Sequence, residues 1–150
     1  MSAVLHPRSD RHADYQFAIA ATLKALEKPL LRARWPHGWK IPPQAYEPFS
    51  LAYVLGFFER HCEEVGAFGT NGLRNAQALM LDQLLGENAS SRLDETLQLV
   101  GQHEITMNNA WQQGRKEADA QLGPDRAIAC SWQEFMYLEI EKYSFSYPRD

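Results

Sequence analysis

The chain has 150 residues, 45% of them hydrophobic, 23% charged and 11% aromatic, with a formal charge of −4. That length suits one domain with a sizeable core, and the composition excludes disordered, fibrous and disulfide-framework classes. Residues 1–45 hold seven Lys/Arg against three Asp/Glu, a net +4, whereas residues 46–150 hold eight against sixteen, a net −8. An acidic body argues against nucleic acid as a partner, because neutralising phosphates supplies most non-specific affinity for DNA.

Residues 1–9 read as a loose tail without the apolar core of a signal peptide. Asp10 is the expected N-cap of a first helix, in which Ile19, Leu23, Leu26 and Leu30 recur at helical spacing. Pro29 is expected to end or kink it, since proline lacks the N–H donor and its ring crowds the preceding turn, with LLRAR continuing the helix where it only kinks. Trp35–Pro48 (WPHGWKIPPQAYEP) follows, with four prolines and a glycine that argue against regular structure, and with Trp35, Trp39 and Tyr46.

A central helix is expected at about 48–65, opened by Pro48 and apolar almost all round from Phe49 to Phe58. Those ten apolar residues are too few to span a bilayer, which takes about 20. Gly66 fits the position just past a helix end. A third helix is expected from Asn71 to Leu85, with Leu73, Ala76, Met80 and Leu84 inward and Gly86 closing it.

Ser91 and Asp94 resemble a capping box. Leu93, Leu97, Val100, Met107, Trp111, Ala118 and Leu122 then predict one long bent helix, or two joined near Gly101. Glu104 and Gly114 interrupt that stripe. The simplest reading of Glu104 is a break near Gly101 that removes it from the core face; the alternatives are a buried ion pair with an arginine and a ligand-binding group. Gly123-Pro124 stops the pattern, and Ser131 with Glu134 forms a capping box for a last helix carrying Trp132, Phe135, Leu138 and Tyr143. Residues 144–150 read as a second tail. The expectation is an all-α fold: one domain over 1–150, five or six irregularly packed helices around the central one.

Gly66, Gly69 and Gly72 stand three apart, as in a phosphate-binding loop. Such loops follow a strand, whereas here a helix ending in Glu63 and Glu64 precedes, and no lysine follows, so the glycines read as a corner between helices. His61-Cys62-Glu63-Glu64 has reactive residue types, but adjacent helical residues point apart. The sequence has no Glu-x-x-His, His-Glu-x-x-His, Cys-x-x-Cys or Gly-x-Ser-x-Gly. The expectation is no metal, no cofactor and no catalytic residue, with Cys62 a core residue and Cys130 a thiol beside a helix start. Two cysteines without a secretion signal suit the cytoplasm.

These features favour a small acidic protein-binding module that neutralises or escorts a partner, the physical character of immunity proteins, inhibitors and secretion chaperones. That is an analogy of class and not a sequence match. The candidate partner-binding residues are Trp35, Trp39 and Tyr46, the residue types of binding hot spots, with Glu59, Glu63 and Glu64 steering a partner that has a basic surface. The alternatives are a small-molecule-binding protein or enzyme with a pocket between helices, and a subunit of a homo-oligomer such as a homodimer.

Overall fold

The computed structural model describes residues 7–67, 70–86, 88–102, 105–123 and 130–136. The fold is all-α, and no strand occurs among the described residues. Its helices are α1 (Pro7–Arg34), α2 (Pro48–Glu64), α3 (Thr70–Leu85), α4 (Leu93–Gly101), α5 (Ile105–Leu122) and α6 (Trp132–Met136). Short 3-10 turns cover Trp35–His37, Pro43–Tyr46 and Ala89–Arg92. No helix is long and apolar enough to cross a membrane.

Helix α2 is the axis of the fold, and every residue from Phe49 to Phe58 is buried. Its start follows from Pro48, which needs no hydrogen-bond acceptor in the first turn, after Glu47 in an extended conformation. At its end Gly66 takes φ +74°, which glycine adopts without Cβ strain. The Gly66 and Ala67 amides donate to Glu63 O (3.1 Å) and Cys62 O (2.9 Å). That pairing satisfies carbonyls that the helix end would otherwise strand, and Ala67 is buried against the core.

Helices α2 and α5 approach at backbone contact. A Cβ at Gly56 would overlap the Trp111 carbonyl, and one at Gly114 would overlap the Tyr53 carbonyl. The gap that Gly114 leaves in the apolar stripe is therefore the place where the two helices come closest. Met107, Ala110 and Ala118 bury the rest of that face of α5.

Several local expectations are corrected. Helix α1 begins at Pro7, so residues 7–9 are helical rather than tail and Asp10 is not its cap; Pro29 does not end the helix, which continues to Arg34. The Pro29 ring is buried on the core side of α1, where packing offsets the missing hydrogen bond. The Trp35–Pro48 segment is less irregular than its prolines suggest, because prolines at the first positions suit its two 3-10 turns. Ser91 lies inside a 3-10 turn and donates to Asn88 O (2.6 Å), so it does not cap α4. Ser90 is fixed instead by Asp82, through its amide (2.9 Å) and its hydroxyl (3.0 Å). The long stripe does divide after Gly101. Glu104, Gly69, residues 137–143 of the expected last helix, with Leu138 and Tyr143, and residues 1–6 and 144–150 of the expected tails lie outside the described residues.

Candidate functional site

Two places concentrate chemically distinctive residues: an exposed aromatic turn after α1, and a buried carboxylate between α2, α5 and α6.

The turn is built by backbone closure. The Trp39 amide donates to Arg34 O (2.9 Å), and Arg34 Nε donates back to Trp39 O (2.7 Å). Gly38 and Trp39 both take positive φ, +64° and +67°. The left-handed conformation is costly for a large residue, by about 1–2 kcal/mol, and such strain clusters at functional sites. The two indoles pack edge to face, 5.1 Å between centroids. Trp35 is 68% exposed and Trp39 52%. Neither ring covers the core.

Tyr46 has a different role. It is half-buried, and its hydroxyl donates to Leu85 O (2.6 Å), tying the second 3-10 turn to the end of α3. Burial raises its pKa. Of the three aromatic candidates, the structure thus brings Trp35 and Trp39 together and takes Tyr46 into the fold.

The acidic candidates are engaged within the molecule. Arg115 of α5 donates to Glu59 (2.7 Å) and Glu63 (2.8 Å), and its guanidinium lies 5.1 Å from the Trp111 ring centroid. Burial raises the pKa of Glu59; Arg115 opposes that shift and Glu63 adds to it. Arg60 joins Glu64 (3.4 Å) to Asp119 (2.9 Å). The negative face of α2 is therefore largely neutralised by two arginines, and only Glu64 of the three carboxylates is exposed. Cys62, one turn on from Glu59, is buried, and its thiol is pushed up to about 12 by burial and then by Glu59 and Glu63.

The buried carboxylate is Glu117, 6% exposed on α5. Its Oε1 accepts the Tyr53 hydroxyl in a short hydrogen bond and the Ser131 amide at 2.7 Å. Its Oε2 accepts Gln113 Nε2 at 2.7 Å and the Ser131 hydroxyl at 2.5 Å. Four donors fill the lone-pair positions of a carboxylate, so it is satisfied without a cation. Cys130 Sγ lies 3.6 Å from the Tyr53 oxygen. Burial, followed by Cys130 and Glu117, pushes the Tyr53 hydroxyl far above the ordinary tyrosine range, which keeps its proton available to Glu117. Beside the cluster Trp132 Nε1 donates to Ser50 Oγ (2.8 Å).

This arrangement corrects the expected capping box. The Ser131 hydroxyl donates to Glu117, and the Glu134 amide, which a capping box would direct to that hydroxyl, donates instead to Ser131 O (2.9 Å). Chemically the cluster is saturated. Glu117 has no lone pair left to take a proton from a substrate, and among the described residues the polar neighbour of the thiol is the Tyr53 hydroxyl. Its evident work is to anchor residues 130–136 onto the α2–α5 pair. Sequence reasoning passed over Glu117, although it lies three residues after Gly114 and seven after Ala110, both buried on the same face. That register was the available signal.

Among the described residues no group of three His, Cys, Asp or Glu is placed to hold a metal ion. Comparison with known proteins finds no matching family model, no similar curated protein and no similar solved structure.

Proposed function

We propose that this protein is a protein-binding module, of inhibitor or chaperone character, whose partner seats on the Trp35–Trp39 turn. The supporting observation is that two tryptophans, packed 5.1 Å apart and each more than half exposed, are held in place by a strained turn closed from both sides. An indole left in water forgoes the burial that would stabilise the free protein. Burying a large aromatic under a partner is worth about 2 kcal/mol or more at a hot spot. Two free cysteines suit a cytoplasmic setting. The carboxylates Glu59, Glu63 and Glu64 enter this reading only through the long-range field, since Arg115 and Arg60 already hold them.

The test is site-specific photo-crosslinking from position 37, between the two indoles, in the native cell. A single dominant adduct should form with the native pair. It should disappear in Trp35→Ala and Trp39→Ala while circular dichroism stays unchanged. An adduct indifferent to both substitutions, or variants that unfold, would show that the turn is not an anchor.

A further inference from the structure

The tryptophans are not isolated on the surface. Along α1 the core side is taken by Tyr15, Ala18, Ile19, Leu26, Leu30 and Ala33, all buried. The opposite side carries Phe17, Lys24, Lys28 and Leu31, continued by Trp35 at the start of the 3-10 turn, all exposed, at steps of seven, four, three and four residues. With the half-exposed Ala21 included, the steps become four, three, four, three and four, the spacing of a helix–helix seam. Phe17 is 67% exposed and Leu31 44%. Eighteen steps at about 1.5 Å each make this stripe roughly 27 Å long.

Its charge is one-sided. From Phe17 to Tyr46 the chain has Lys24, Lys28, Arg32, Arg34 and Lys40 against the single carboxylate Glu27. Among the described residues none of Lys24, Lys28, Arg32 or Lys40 is in an ion pair, in contrast to Arg60 and Arg115. The surface around the tryptophans is thus positive, although the chain as a whole is negative.

We infer that the outer stripe of α1, from Phe17 to Trp35, together with Trp39, docks an acidic amphipathic helix of a partner protein. The inference rests on the protein-binding reading above and deepens it. Three apolar anchors at seam spacing match the apolar positions of a helix laid alongside, and Lys24 and Lys28 between them call for carboxylates opposite. A lipid surface fits less well. An interfacial helix keeps its apolar face continuous and its cations on the polar side, whereas here the lysines occupy the middle of the apolar line. The contact surface of the partner is therefore acidic, although the overall charge of this chain would by itself suggest a basic one.

The probe is a phage-displayed library of helical peptides with leucine at the seam positions and randomised neighbours, selected against the full-length protein. Selected sequences should be enriched in Asp and Glu beside the leucines and should lose binding in Trp35→Ala. Lys24→Glu with Lys28→Glu should weaken a selected peptide about ten-fold or more at low salt, with a smaller effect at high salt. A peptide with lysines in place of its acids should restore binding to the reversed protein. Peptides that need Trp35 but show no acidic enrichment would overturn the acidic-helix inference and leave the protein-binding reading standing. If no peptide that needs Trp35 emerges, both fail. Binding to phosphatidylserine vesicles or duplex DNA that the lysine reversals abolish, or a dimer that they dissociate, would also overturn it by assigning the stripe to another occupant.

Discussion

The surroundings of Glu117 and the Trp35–Trp39 turn are mirror cases. In the first a charged group sits inside and every hydrogen-bonding atom it presents is met. In the second large apolar rings sit outside and most of their surface is in water. A buried carboxylate is tolerated only when fully partnered, so its completeness marks it as structure. An exposed aromatic pair has no such requirement met within the chain, and that incompleteness is what the proposed partner-binding reading rests on. A residue that breaks the usual inside–outside rule is thus read by whether its neighbours in the same chain resolve the anomaly.

The largest expected effect lies at the helix contact that creates the buried site. Gly114→Val would drive side-chain atoms into the Tyr53 carbonyl and Phe57 amide. Because backbone cannot yield as a flexible side chain does, the loss should be about 3 kcal/mol or more in chemical denaturation. A variant with native stability would mean that α2 and α5 are not in backbone contact. Next, Glu117→Ala should cost about 3 kcal/mol, since the Ser131 amide, Tyr53 hydroxyl and Gln113 amide would lose their acceptor together. Glu117→Gln should recover only part of that, as its amide nitrogen cannot accept. If Glu117→Ala is neutral, the comparison fails on its buried side.

Trp35→Ala should change stability by no more than about 1 kcal/mol, the scale of one aromatic pair, while removing the partner adduct. A thermal shift as large as that of Glu117→Ala would make the indole part of the core and erase the contrast. The smallest expected effect concerns His61, buried at 5% exposure in α2 beside Phe57, with Nε2 lacking a hydrogen-bond partner among the described residues. Burial lowers its pKa, assisted by Arg60 and opposed by Gln121 and Glu64. Neutral His61 belongs to the folded state, so stability is at its full value above the unfolded pKa near 6.5 and falls as the pH drops below it. Urea titrations should show that slope, and His61→Gln should flatten it. An unchanged slope would assign it to other groups.

The central helix and the Gly66 closure were legible because their causes are local: a run of ten residues apolar but for Ser50, a first-turn proline and a glycine where positive φ is required. The charged candidates were less so. Glu59 and Glu63 look like a free acidic face until Arg115, more than fifty positions later, is laid across them. Gly114 looked like a flaw in an apolar stripe because the stripe counts side chains, whereas the helix contact uses their absence. Tyr46 was grouped with the tryptophans by proximity in the chain, although its hydroxyl belongs to Leu85.

Residue spacing and turn chemistry alone determined that this chain is helical and that α2 lies at its centre. They act through hydrogen bonds and side-chain contacts within a few positions. Tertiary packing decided which polar groups are spent and which apolar groups are left over. The Tyr53–Glu117 bond spans 64 positions and Trp132–Ser50 spans 82. No periodicity encodes such pairs, because they depend on where each helix comes to rest against the others. The exposure of Trp35 and Trp39 was decided in the same way: aromatic rings in a loop either fold back or stand out, and only the closed turn at the end of α1 turns these outward.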